Sequence, residues 1–317
     1  MAVQIMKERW TGKVAELTIG AGANAIKVGG DSTLPYLQFE GEIPNKPVVA
    51  LEVSDVAPVE LPELLASAWG DVTSDPVAWA KKAVELGANA VCLRLDSAHP
   101  DKGDRSAAEV AATAKAVAEA VEVPLIIIGC GVDEKDQEII PVVAEATANR
   151  GVLLGCATPE TYKQYVAAAL GNGHSVIASS PLDINLAKQL NILMTEMALP
   201  VDRIAMDPLV GALGYGIEYA YSIMERSRIG ALTGDKMLAM PVICFVGQEA
   251  WKAKEAKDAE SPEGQEWGEQ QVRGLLWEAM TATTFLQAGG SILVMKHPEA
   301  MKLFFNHVEQ ISQPVQL

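Results

Sequence analysis

The stretch SDPVAWAKKAVELGANAVCLRL, residues 74–95, contains one helix-to-strand unit of the chain. Ser74-Asp75-Pro76 reads as a helix start, because proline is tolerated in the first turn and an acidic neighbour suits the positive end of the helix dipole. Val77, Ala80 and Val84 then recur at helical spacing. The apolar run from Ala90 to Leu95 that follows has the length and content of a buried strand.

The same alternation continues to the end of the chain, which is the pattern of βα units building a parallel sheet. Strands are predicted at Val48 to Val53, Ala90 to Leu95, Leu125 to Gly129, Gly151 to Gly155, Ser175 to Ala178, Arg203 to Asp207, Pro241 to Val246 and Ser291 to Met295, eight in all. LIIIG and ILVM are uniformly apolar, as expected of strands covered on both faces. Further helical stripes fall on Val110, Ala114, Val117 and Val121, on Tyr162, Tyr165, Val166 and Ala169, and on Leu186, Leu190, Leu193 and Met197. Thr158-Pro159-Glu160 and His297-Pro298-Glu299 are predicted to place proline in a first helical turn.

The predicted fold is α/β, a (β/α)8 TIM barrel over residues 47–317 with an N-terminal extension over residues 1–46. Within the extension, Val14 to Ile19 and Ala25 to Val28 flank a Gly/Ala-rich turn and read as a hairpin covering one end of the barrel. A doubly wound open sheet is the competing architecture; it normally carries a Gly-rich turn after its first strand. Here that strand runs into Ser54-Asp55-Val56-Ala57-Pro58, and no GxGxxG follows any strand. Residues 252–268, rich in Lys, Glu, Gly and Pro, are expected to form a solvated excursion.

With 317 residues, 49% of them hydrophobic, and no apolar run near the length of a membrane span, the chain is expected to be soluble and cytoplasmic. MAVQIMKERW has early basic residues but no following apolar stretch of a secretion signal. A net charge of −16 argues against nucleic acid and anionic membranes as partners. The basic residues Arg226 and Arg228 form the one small cluster noted. Cys92, Cys130, Cys156 and Cys244 are far apart, with no CxxC pair, so neither a disulfide framework nor a local cysteine cluster for iron-sulfur or zinc is expected.

In a barrel of this kind, function lies in the loops that follow the strands. Asp96 and Asp207 can be read as paired carboxylates or as loop caps. Lys296 can be read as a Schiff-base amine or as one half of a salt bridge. His99 lies in too loose a pattern for a metal box, and Cys130 and Cys156 read more simply as small buried hydrophobes. The most distinctive turn is MDPLVGALGYGIEYA after the sixth strand, where Gly211, Gly214 and Gly216 leave backbone open to close approach. In SSPLDINLAKQLN after the fifth strand, Asp183 can cap a helix and Asn185 offers a donor and an acceptor.

These two turns, with KVAELTIG…AIKVGG, SDPVAWAKKAVELGANAVCLRLDSAHPD and GGSILVMKHPEA, resemble the small subunit of the corrinoid/iron-sulfur protein and its archaeal counterpart, the delta subunit of the acetyl-CoA decarbonylase/synthase complex. The resemblance spans essentially the whole chain. It implies a non-catalytic barrel that forms a heterodimer with a large subunit, the latter carrying the iron-sulfur cluster and the corrinoid-binding domain, in an anaerobic carbon-fixing acetyl-CoA pathway. Cobalamin would lie at the interface, and the methyl group would pass from methyltetrahydrofolate, through a methyltransferase, to acetyl-CoA synthase. The residues expected to meet the corrinoid are Asp183, Asn185, Asp207, Leu209, Gly211, Ala212, Leu213, Gly214 and Tyr215, with no catalytic or metal-ligating residue. The alternative is a pterin-binding barrel acting as a methyltetrahydrofolate methyltransferase, with Asp96, Asn185 and Asp207 as its site.

Overall fold

The computed structural model describes residues 6–259 and 261–313. The outermost residues of the predicted extension and barrel, and Glu260 of the predicted excursion, lie outside them. Two strands, β1 (Glu16–Ile19) and β2 (Ile26–Gly29), pair antiparallel as a hairpin. Eight more follow: β3 (Val48–Ser54), β4 (Ala90–Arg94), β5 (Leu125–Ile128), β6 (Leu153–Ala157), β7 (Ser175–Ser179), β8 (Ile204–Asp207), β9 (Val242–Cys244) and β10 (Gly290–Met295). They close in the order β10-β3-β4-β5-β6-β7-β8-β9, all parallel, with Ile292 opposite Val48 at the seam. Closure excludes the open sheet.

Strand alternation divides the core in two. Successive side chains point to opposite faces of a strand, so Val48 and Ala50, Ala90 and Cys92, Ile126 and Ile128, and Ile292 and Val294 fill the barrel interior. Their neighbours Val49, Leu51, Val91, Leu93, Ile127 and Leu293 pack against the surrounding helices. Both faces are therefore apolar, which explains the uniform runs in the sequence. The hairpin adds Leu17, Ile19 and Val28, all fully buried, to the interior cluster. Burying each is worth roughly 1.5–3 kcal/mol. Gly20 N–H donates to Gly151 O at 2.7 Å, and a Cβ on Gly151 would stand 2.2 Å from the carbonyl oxygen of Gly20. The hairpin thus seals the end opposite the strand-end loops.

Asp75 caps helix Pro76–Glu85 by accepting from Val77 N at 2.9 Å and Ala78 N at 3.2 Å. His297 caps Pro298–Ile311 through Nδ1, which accepts from Glu299 N at 3.1 Å. Other local expectations need correction. Pro159 precedes its helix, which starts at Tyr162 after Thr158 N–H has bonded Thr161 Oγ1 at 2.9 Å. The buried stripe of helix Ile184–Glu196 is Ala187, Leu190, Asn191 and Met194, rotated about one residue from the predicted one, and on it Asn191 Nδ2 donates to Met237 O at 2.8 Å. Strand β9 ends at Cys244 because Val246–Ala250 is a short helix, whose Gly247 packs directly on the Lys296 backbone.

The segment 252–268 is not simply solvated. Helices Lys254–Lys257 and Pro262–Glu266 lie within it, and Ala253 and Ala256 are fully buried. Gln270 and Arg273 of helix Gln270–Gln287 bond its backbone at Ala256 O (2.9 Å) and Asp258 O (2.6 Å). Nor does Arg228 belong to a surface patch. It is buried, its Nη1 2.6 Å from Asp31 Oδ2, and it ties the extension to helix Ile217–Leu232.

Candidate functional site

The interior alternation continues past the apolar layers and decides which polar groups face the mouth. Two residues beyond Ala50 comes Glu52; beyond Cys92, Arg94; beyond Ile177, Ser179; beyond Ala205, Asp207; and beyond Val294, Lys296. Each has the parity of an interior residue and lies at the C-terminal end of its strand. All five line a mouth cavity of two lobes. Arg94 and Gln248 line both lobes, and Arg94 Nη1 donates to Gln248 Oε1 at 3.2 Å across the boundary.

The larger lobe, about 700 Å³, is bounded by the loops after β3, β4, β9 and β10. Lys296 Nζ lies 3.2 Å from Glu52 Oε1, Lys102 Nζ 2.8 Å from Asp96 Oδ1, and Arg94 Nε 3.8 Å from Asp96 Oδ2. Burial pushes the Asp96 carboxyl up, but Arg94, Lys102 and the Ser54 hydroxyl together outweigh it and hold it below the usual range. Lys296 is therefore one half of an ion pair. Neighbouring Asp55 accepts from Ser97 N at 2.8 Å and from the Ser97 hydroxyl, fixing the loop after β4. His99 takes a local role, its Nδ1 accepting from Asp101 N at 3.1 Å.

The smaller lobe, about 350 Å³, includes Asp136, Cys156, Ser179, Asp207, Leu209, Val210 and Phe245. Burial raises Asp207 to about 6 despite bonds from Leu209 N–H (2.9 Å) and Ser179 Oγ (3.0 Å). Asp136 is spent on its own loop, accepting from Cys130 N at 2.7 Å and Gly131 N at 3.1 Å. Burial pushes both the Cys130 and Cys156 thiols up, so neither is a ready thiolate. Among the described residues no group of three or more His, Cys, Asp or Glu is placed to hold a metal ion.

Asp96 and Asp207 line different lobes, so the paired-carboxylate reading fails. Asp183 caps its helix, accepting from Asn185 N at 2.8 Å and Leu186 N at 3.2 Å; Asn185 is exposed, and neither residue lines either lobe. The loop after β8 presents Leu209 (46% exposed), Gly214 and Tyr215 outward, with Leu213 half-buried and Ala212 buried. Gly211 lets the loop fold back on itself, since a Cβ there would stand 2.5 Å from Tyr215 O. Tyr215 Oη donates to Glu255 Oε2 at 2.8 Å, joining this loop to helix Lys254–Lys257. Leu182 of the preceding loop donates its N–H to Pro208 O at 2.9 Å, and both Leu182 (φ 51°) and Leu209 (φ 56°) have left-handed backbones and exposed side chains. That conformation is unfavourable for leucine.

Two positions at the mouth, Arg94 and Glu278, escaped the sequence reading. Arg94 was legible from strand parity. Glu278 was legible from the helix: it falls on the buried stripe Gly274, Glu278, Thr281, Ala282, Phe285 of Gln270–Gln287. It accepts from Lys296 N (2.5 Å), His297 N (3.1 Å) and Trp251 Nε1 (2.8 Å), and burial raises it to about 7. This one carboxylate holds the loop after β10 against the loop after β9.

Comparison with known structures shows the fold. Dihydropteroate synthase from Xanthomonas albilineans covers 88% of this chain and 99% of its own at TM-score 0.57 and 15% identity. That from Coxiella burnetii covers 88% and 98% at 0.56 and 13%. Curated relatives are nearer in sequence. The acetyl-CoA decarbonylase/synthase complex subunit delta of Archaeoglobus fulgidus is 36% identical over 307 residues, 93% of this chain and 68% of that one. The delta subunit of Methanothermobacter thermautotrophicus is 37% identical over 297 residues, 93% and 75%. The model of the family described as CO dehydrogenase/acetyl-CoA synthase delta subunit matches residues 16–306. With that match over most of the barrel and relatives of this identity along nearly its whole length, the chain belongs to the CO dehydrogenase/acetyl-CoA synthase delta subunit family.

Proposed function

We propose that this chain is the small, barrel subunit of a heterodimeric corrinoid/iron-sulfur methyl carrier, and that the loops after β7 and β8 cap a cobalamin held by the large subunit. The observation that carries the reading is the pair Leu182 and Leu209, side by side and exposed in backbone conformations unfavourable for leucine. Strain of this kind persists where surrounding structure imposes it, and it clusters at sites of function.

The residues fit the face of a corrinoid. Residues 208–216, PLVGALGYG, contain no imidazole, thiol or carboxylate that would compete as an axial ligand, and Gly214 leaves open space where a side chain would stand. When bound, the corrinoid supplies a cobalt centre that accepts and gives up a methyl group. The chain's part is to exclude water with Leu182, Leu209 and Leu213 and to present backbone at Gly214. Asp207 Oδ1 accepts from Leu209 N–H and so holds the base of the loop. The iron-sulfur cluster is assigned to the partner chain, methyltetrahydrofolate methyltransferase and acetyl-CoA synthase to transient contacts, and the cytoplasm to the complex.

Co-expression with the large subunit, followed by sizing and a visible spectrum, tests the reading. A one-to-one complex with a corrinoid band is expected, and Leu209→Glu should weaken it at least tenfold by placing a charge on the apolar face. A barrel that ran alone and turned over methyltetrahydrofolate would replace this reading with the methyltransferase one.

A further inference from the structure

The cap is too small to hold two chains together. Leu182, Leu209, Leu213, Gly214 and Tyr215 are a handful of residues, whereas a stable one-to-one interface takes about 800 Å² and roughly 20–30 residues from each partner. The contact has to continue past the two loops. The loop after β8 runs directly into helix Ile217–Leu232, with Tyr219 61% exposed in its first turn, and that helix packs against Gln270–Gln287, which follows the adjacent strand β9. Tyr215 ties the loop to the same flank through Glu255, whose short helix also packs on Gln270–Gln287.

The outer face of Gln270–Gln287 does not suit solvent. An outer helix normally buries one stripe and turns charge outward, as Ala107–Ala120 does with Glu109, Lys115 and Glu119. In QQVRGLLWEAMTATTFLQ the two charged residues are engaged elsewhere: Glu278 is fully buried against the loops after β9 and β10, and Arg273 is bonded to Asp258 O and Gly264 O. Opposite the buried stripe, at helical spacing, stand Val272, Leu276 and Met280, which are 51%, 43% and 53% exposed. The neighbouring helix Pro298–Ile311 adds exposed Leu303. Contiguous apolar surface of this kind marks an interaction face. Eighteen residues form a strip about 27 Å long and about 10 Å wide, roughly 300 Å², which is a large part of what the cap lacks. A second copy of the chain is the disfavoured occupant, since each copy has a net charge of −16 and like charges repel.

We infer that this flank is a second contact of the large subunit, with Val272, Leu276 and Met280 receiving an uncharged, apolar face of the same subunit whose corrinoid the loops after β7 and β8 cap. The inference rests on the heterodimer proposed above. It adds the surface that holds the two chains together, separate from the residues that meet the corrinoid.

The double variant Leu276→Glu, Met280→Glu tests it, with both changes at exposed positions and the urea midpoint of the free barrel as the check on folding. It should bind the large subunit at least tenfold more weakly than the wild-type chain. Val142→Glu, at an exposed apolar position on helix Asp133–Ala146 across the barrel, should bind as the wild type does. Hydroxyl-radical footprinting needs no variant: oxidation of Met280 should fall at least fivefold when the wild-type chain is in the complex. Wild-type affinity in the double variant, equal weakening by Val142→Glu, or equal oxidation of Met280 in both states overturns this inference and leaves the cap reading standing. Failure of the two wild-type chains to associate overturns both. A free barrel that sizes as a dimer, and that the double variant turns into monomers, assigns the face to a second copy instead.

Discussion

Replacing Asp207 by asparagine should change how stability depends on pH, and the direction follows from the structure. Burial raises this carboxyl from 3.8 to about 6. Between those values the folded chain keeps a proton that the unfolded chain has released, so stability falls as pH rises from about 4 to about 6 and is level above. Two pH units at about 1.4 kcal/mol each put the full penalty at roughly 3 kcal/mol. Asparagine retains an oxygen to accept from Leu209 N–H, and its amide can donate to the Ser179 hydroxyl, so both bonds at Asp207 survive without the charge. Urea unfolding of the two chains at pH 4 and pH 8 measures the effect, since every other titrating group is common to both and cancels in the difference. The stability gap should move in favour of Asp207→Asn by about 2–3 kcal/mol between the two pH values. A gap that stays constant, or moves the other way, would refute the assignment of a buried, raised carboxyl at the end of β8.

Gly151→Ala should destabilise by about 2 kcal/mol or more, combining a positive φ (62°) with a Cβ 2.2 Å from Gly20 O. An unchanged urea midpoint would show that the hairpin is not seated on the start of β6. Borohydride treatment in the presence of pyruvate should leave Lys296 unlabelled in a peptide map, because its amine is ion-paired with Glu52 3.2 Å away. A labelled Lys296 would restore the Schiff-base reading.

Local pattern was enough for the eight strands, the barrel over the open sheet, and the plugging hairpin, because strand length, apolar continuity and turn chemistry are short-range properties. The helix starts at Pro76 and Pro298 and the cap at Asp183 were equally local. The segment 252–268 was misread because composition does not show that Ala253 and Ala256 have a helix to pack on. Arg228 looked like surface charge for the same reason: its partner Asp31 lies 197 residues away.

By itself, then, the sequence determined the element order and the barrel, and its resemblance to one family pointed to the right relatives. Only the tertiary structure decided which polar side chains share a cavity. Asp96 and Asp207 are equivalent as strand-end carboxylates in the sequence, yet Arg94 and Gln248 stand at the boundary between their lobes, and Glu278 is drawn from a distant helix to hold the mouth together. Barrel closure sets those distances, and closure is a property of all eight strands at once.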